Sequence, residues 1–172
     1  ILGLIPARKG SKGIKNKNIK KIGELPLIEH TLKFVSQIQH IDKSVLSTDS
    51  EEIIEISKKY KNIEAPFVRP DILCSDSANI SDVAIHALNE CNLIYKTDFT
   101  HIALFQPTSP FKKLNEITDA VDMLIKNNID SIFSVNAVIH HPSEYITINE
   151  KGFDLVLPPK SKDEQRQLYD DV

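Results

Sequence analysis

Short continuous apolar runs alternate along this chain with stretches in which apolar residues recur every three or four positions. Residues 1–5 (ILGLI) are apolar throughout, the pattern of a strand buried on both faces of a parallel sheet. Residues 26–39 set Leu27, Ile28, Thr31, Leu32, Val35 and Ile38 on one stripe of an amphipathic helix. Residues 44–47 (SVLS) predict the next strand, and Thr48-Asp49-Ser50-Glu51 has the spacing of a capping box that opens a helix through about Tyr60. A third strand over 63–68 is interrupted by Pro66, which marks an edge position or an early ending. Residues 81–93 predict a helix with Val83, Ala84, Ala87, Leu88 and Cys91 facing inward. Then follow a strand at 101–105 (HIALF), a helix at 115–127 and a strand at 131–135 (SIFSV). Strand and helix alternate at least four times, so the fold class is α/β, with a mostly parallel sheet flanked by helices.

The pattern changes near Asn136, which divides the chain into an α/β core over 1–135 and a smaller region over 136–172. In the latter, 144–148 and 153–157 flank Asn149-Glu150-Lys151-Gly152, a β-hairpin with glycine in its turn. Such a hairpin covers a site, meets a partner subunit or is a plain surface excursion. Residues 158–167 are polar and loop-like. The chain opens at Ile1 without an initiator Met and closes at Val172 without a terminating feature, the pattern of a fragment, and its start does not resemble a signal peptide.

Composition narrows the class. With 172 residues, 41% of them hydrophobic, and a net charge of −3, the chain has the material for one folded core and is not of disordered type. No apolar run approaches the length of a membrane span, and the weak charge gives no reason to expect nucleic acid. Cys74 and Cys91 lack CxxC spacing and fit a reducing, cytoplasmic compartment.

The first candidate chemistry lies directly after the first strand. Between Pro6 and Asn18 stand two glycines, Ser11 and five cationic side chains, Arg8, Lys9, Lys12, Lys15 and Lys17. In an open parallel sheet, ligands bind at the carboxyl ends of the strands. Glycines admit phosphate oxygens to backbone N–H groups, and Arg and Lys neutralise their charge. Neither GxxxxGK[ST] nor GxGxxG is present, so this is not a P-loop or a dinucleotide fingerprint.

Residues 5–19 (IPARKGSKGIKNKNI) resemble the signature of the acylneuraminate cytidylyltransferases, the CMP-sialic acid synthetases that activate nine-carbon acidic sugars. Further matches follow in order: Leu46-Ser47-Thr48-Asp49; Arg69-Pro70 with Ser75-Asp76-Ser77-Ala78 and His86-Ala87-Leu88; and Gln106-Pro107-Thr108-Ser109-Pro110. The resemblance implies a Rossmann-like fold of the nucleotide-diphospho-sugar transferase type with a small hairpin subdomain for homodimerisation. It implies transfer of CMP from CTP to the anomeric hydroxyl of a nonulosonate such as sialic, legionaminic or pseudaminic acid, with pyrophosphate released and Mg²⁺ as cofactor. By the same resemblance Lys17, Arg8 and Arg166 are catalytic; Ala7, Arg8, Gly10, Ser11, Lys12, Asn18, Arg69, Ala78 and Asn79 bind the nucleotide; and Gln106, Thr108, Ser109 and Gln167 bind the sugar. No metal ligand is expected within the chain, because the family's acidic motif lies beyond the position of Val172. Where family members place a hydroxyl two positions after Ala78, this chain has Ile80, with Asn79 or Ser81 as substitutes.

Other candidates are weaker. Asp49 is either a helix cap or a ligand-side group. Asp170 and Asp171 are adjacent, so on an extended backbone they point to opposite faces and do not make a metal pair. His140-His141 lacks a third ligand at useful spacing, His30 and His86 read as helix residues, and Cys74 lacks a base that would make it a nucleophile. A Kdo cytidylyltransferase and a catalytically silent nucleotide-binding or oligomerisation module are the rival readings.

Overall fold

The computed structural model describes residues 1–11, 13–135, 145–150 and 152–156. The chain divides into two compact units, Ile1–Asp130 and Ser131–Val172. The first is built on a four-stranded parallel sheet of β1 (Leu2–Pro6), β4 (Lys43–Ser47), β5 (Ile63–Glu64) and β6 (Ile102–Leu104), in the spatial order β5-β4-β1-β6. A small antiparallel pair, β2 (Lys21–Ile22) with β3 (Leu25–Pro26), precedes the first helix and is absent from the sequence-based prediction. Helices α1 (Leu27–Val35), α2 (Glu51–Ser57), α3 (Ile80–Tyr95) and α4 (Leu114–Asn127) complete the unit.

The two-residue period of β1 sorts its side chains between two cores. Ile5 packs with Ile28, Leu32 and Val35 of α1, Ile53 of α2, Leu46 and Phe105. Leu2 and Leu4 point the other way, onto Ala87 and Cys91 of α3, Val45 and Phe99. Helices thus cover both faces, which is why β1 is apolar at every position but Gly3. A Cβ on Gly3 would stand 3.0 Å from the side-chain atoms Ile41 Cγ2 and Ser44 Oγ, so any larger residue there would have to push these neighbours aside.

Polar ties fix the helices and the sheet edge. Glu29 on α1 is buried, and accepts from Lys59 Nζ at 3.0 and 3.2 Å and from Tyr60 Oη at 3.3 Å. Burial, then the Glu29 charge, push the Tyr60 phenol up to about 12. On β5, Glu64 takes Lys43 Nζ at 2.6 Å and Tyr95 Oη at 2.8 Å, and the Lys43 hydrogen bond holds its carboxyl below the usual range. The third strand ends at Glu64, two residues before Pro66, and lies at the sheet edge as the proline predicts.

Several expectations are corrected. The cap of α2 is Ser50, whose Oγ accepts from Ile53 N at 3.4 Å, while Thr48 Oγ1 accepts from Ser50 N at 3.1 Å. The predicted box was displaced by two residues because Thr48 and Ser50 both carry a cap-forming hydroxyl, and α2 stops at Ser57 rather than Tyr60. Helix α1 ends at Val35, though Ile38 remains buried. Residues 131–135 form no strand: none of the described strands pairs with them, and Phe133 and Val135 are exposed.

In the second unit, β7 (Ile146–Asn149) and β8 (Gly152–Leu155) form an antiparallel hairpin with Asn149 opposite Gly152. Gly152 therefore opens β8 instead of lying inside the turn, and its φ of +131° is one that glycine tolerates. The strand bounds are shorter than the predicted 144–148 and 153–157. His140, His141, residues 158–167, Asp170 and Asp171 lie outside the described residues.

Candidate active site

The sheet runs outward from β1 through β4 to β5 and then crosses back to β6 on the other side of β1, so the strand order reverses beside β1. A crevice opens at such a reversal, at the carboxyl ends of the strands. An open cleft of about 210 Å³ lies there, lined by residues that follow β1 (Arg8, Gly10, Ser11, Lys17, Asn18), β5 (Arg69, Leu73, Ser75, Asp76, Ala78) and β6 (Gln106, Pro107, Thr108), with Ile80 and Val83 from α3. Residues of the 5–19, 69–78 and 106–110 motifs therefore meet in one place, whereas 46–49 and 86–88 do not line the cleft. Ala7 is buried beneath the cleft, and neither Ser109 nor Asn79 lines it. Lys12, Arg166 and Gln167 lie outside the described residues.

The loop after β1 is pinned on both sides of Arg8. Ala7 N donates to Ser47 O at 2.9 Å, Lys9 N to Asp49 Oδ1 at 2.6 Å, and Asn18 Nδ2 to Arg8 O at 2.9 Å. Asp49 is thus not the α2 cap; its carboxylate anchors the cationic loop. Asn16 takes a left-handed conformation (φ 56°) and starts a single 3₁₀ turn, Lys17–Ile19, that buries Asn18 and leaves Lys17 half-exposed on the cleft. Among the described residues the Lys17 ammonium has no ion-pair partner. A Cβ on Gly10 or Gly13 would meet nothing within 4 Å, so the fold itself does not demand glycine there.

The two arginines are engaged with the protein. Arg69 is 4% exposed; its Nε donates to Ser47 Oγ at 3.0 Å and its Nη2 to Ser47 O at 2.5 Å. Burial pulls its guanidinium below the usual value, and the neighbouring Cys74 and Asp49 oppose that pull. Arg8 donates from Nη1 to Cys74 O at 3.0 Å and from Nη2 to Asp76 Oδ1. Arg69 is therefore first a brace between the ends of β4 and β5, and Arg8 a bridge from the β1 loop to the 71–78 loop.

The other wall has its own supports. Asn79 caps α3 by accepting from Ser81 N at 3.0 Å through its Oδ1. The Gln106–Pro110 turn is held by a residue that sequence reasoning missed. Lys112 Nζ donates to Gln106 O at 3.0 Å and to Ser109 O, while Ser109 N donates to Gln106 O at 3.2 Å. Burial lowers the Lys112 pKa. A lysine just past a proline-stiffened turn, whose carbonyls no helix or strand can satisfy, is the signal that would have found it. Cys74 donates to Pro70 O at 3.3 Å; burial, then Asp49, push its thiol up to about 11, which leaves it unsuited to nucleophilic work.

The cleft thus combines backbone-pinned cations, a braced loop on one side and a rigid hydroxyl- and amide-bearing turn on the other, a setting suited to a phosphorylated ligand with a polar second substrate. Comparisons agree with that chemistry. The N-acylneuraminate cytidylyltransferase of Escherichia coli is 39% identical over 124 residues, covering 72% of this chain and 28% of that protein. The CMP-N,N'-diacetyllegionaminic acid synthase of Legionella pneumophila is 33% identical over 163 residues, covering 95% of this chain and 68% of that one. The chain therefore spans little more than a quarter of the first relative's length and about two thirds of the second's. A solved CMP:2-keto-3-deoxy-manno-octonic acid synthetase, complexed with CTP, superposes with a TM-score of 0.58 at 15% identity, over 74% of this chain and 48% of that one, a likeness of fold. The family model described as cytidylyltransferase matches residues 2–163, and the chain belongs to that family.

Proposed function

We propose that the protein transfers CMP from CTP to the anomeric hydroxyl of a sialic-acid-like nonulosonate, releasing pyrophosphate. The observation that carries this reading is the meeting of Lys17, Arg69 and Gln106, each from a different motif, on one cleft at the sheet's reversal point. The names of the relatives support the nucleotide and the sugar class. The Kdo alternative has weaker support, since the likeness to that synthetase is one of fold.

In this reading the triphosphate lies against the β1 loop. Arg8, Ser11, Lys12 and the backbone at Gly10 take phosphate oxygens, and the Lys17 ammonium meets the charge that develops on the α-phosphoryl group. Asn18 acts through its bond to Arg8 O, keeping that loop in register. The Arg69 brace and Ala78 shape the nucleoside wall. Gln106 and Thr108 offer the sugar an amide and a hydroxyl, and Ser109, Arg166 and Gln167 belong to the same sugar-side proposal. Attack is in line and direct, with no covalent enzyme intermediate, so catalysis rests on positioning and charge neutralisation.

Mg²⁺ enters this proposal as a counter-ion of the kind that binds mainly through substrate phosphates. Among the described residues no three His, Cys, Asp or Glu side chains group to hold a metal. A homodimer formed through the hairpin is supported by Ile148 and Phe153, which pair across the strands with their side chains exposed. A cytoplasmic location accords with the free thiols of Cys74 and Cys91.

Pyrophosphate release with CTP and Mg²⁺, with sialic, legionaminic, pseudaminic and Kdo sugars offered in parallel, tests the function. Release with one nonulosonate is expected. Silence with all four beside measurable CTP binding would reduce the protein to a nucleotide-binding module, and silence without CTP binding would reject the reading.

A further inference from the structure

The guanidinium assigned to the nucleotide's phosphates is already occupied by an anion of the protein's own. Arg8 Nη2 is bound by Asp76 Oδ1 and Nη1 by Cys74 O, and both Arg8 and Asp76 line the cleft. The backbone around Arg8 cannot follow a departing ligand, because Ser47 O, Asp49 Oδ1 and Asn18 Nδ2 hold residues 7, 9 and 8. What can change partner is the side chain. Its pair with Asp76 is only partly shielded, with the two side chains 29% and 34% exposed, and ion pairs of that kind are weak enough for a multiply charged ligand to displace.

From this geometry we infer that Asp76 is a carboxylate latch on the nucleotide site: it holds Arg8 and the 71–78 loop together while the cleft is empty, and a nucleoside triphosphate must displace it from Arg8 to bind. The inference rests on the proposed nucleotide reading and adds to it a residue that works against the ligand. The loop is suited to the exchange. One short 3₁₀ turn, Asp71–Leu73, leads into it, and the link from Cys74 and Asp76 to Arg8 ties it across to the β1 loop. Exchange of carboxylate for phosphate on Arg8 would therefore release Asp76 at the moment the nucleotide arrives, while the bond to Cys74 O keeps the loop beside Arg8. The latch exacts a small, fixed loss of affinity, and it also keeps Arg8 in the cleft in a bidentate geometry that lysine could not hold.

Calorimetric titration with CTP tests the latch in the full chain. Asp76→Asn should tighten CTP binding about two- to fivefold, the range expected when a partly exposed ion pair no longer competes. The same gain should vanish in an Arg8→Gln background, where there is nothing to latch. A gain of equal size in that background would assign the effect to general repulsion between Asp76 and the triphosphate and overturn the latch. Unchanged or weaker binding by Asp76→Asn would overturn it too, the weaker case making Asp76 a ligand-side group. Asp76→Ala gives an independent check, and its affinity should rise as well. No CTP binding by the unaltered protein would defeat the nucleotide reading and the latch together, whereas binding that ignores Asp76 would defeat the latch alone.

Discussion

Arg69 donates through Nε and Nη2 to a single residue, Ser47, and does so almost wholly out of solvent. A lysine has one ammonium and cannot span a hydroxyl and a carbonyl in that fork geometry. Arg69→Lys should therefore cost about 2 kcal/mol of stability, the scale of charge-assisted bonds lost in a buried setting. A urea unfolding midpoint unchanged by the substitution would show that the brace is idle. That Arg69 is special was legible, since the chain uses lysine almost everywhere and has only three arginines. Its partner was not legible. Ser47 is remote in sequence, and the strand register that brings the two together is a tertiary fact. The same holds for Asp49, whose bond from the amide of Lys9 joins residues forty positions apart.

Among the elements, the turn between β6 and α4 shows how a loop can be stiff without being regular. Pro107 and Pro110 remove two donors and fix two φ angles, leaving carbonyls that need partners. The Lys112 ammonium supplies them for Gln106 and Ser109, above the Phe34 ring at 5.9 Å. Lys112→Met keeps the stem's packing and removes the donor. It should raise the KM for the sugar about tenfold, the effect of roughly one lost charged hydrogen bond on loop geometry, and leave CTP affinity within twofold. Steady-state kinetics with each substrate varied in turn checks this; an equal rise for CTP would remove the turn from the sugar side. Buried elements were the most legible, because continuous apolar runs and helical stripes report burial directly. The helix cap, the strand expected at 131–135 and the pair β2–β3 were not, since each depends on which neighbour supplies a hydrogen-bond partner.

At the scale of the whole molecule, the alternation of runs and stripes was enough to read a parallel sheet with helices on both faces, and the ordered motifs were enough to read one cleft. The hairpin unit is different in kind. Ile146, Ile148 and Phe153 share one face of β7–β8 by register, and Ile148 is 85% and Phe153 67% exposed. An isolated two-stranded hairpin is marginal in water, and an apolar face left to solvent gains from being covered. In the dimer proposed above, a second copy covers it. Replacing Ile148 and Phe153 together by threonine keeps a β-favouring side chain at both positions while removing most of the apolar contact. Sedimentation should then show the unaltered protein at twice the chain mass and the doubly substituted protein at the chain mass, with the far-UV spectrum of the α/β unit retained. A monomeric unaltered protein, or a substituted protein that still sediments as a dimer, would take the hairpin out of the assembly and leave its apolar face to some other role.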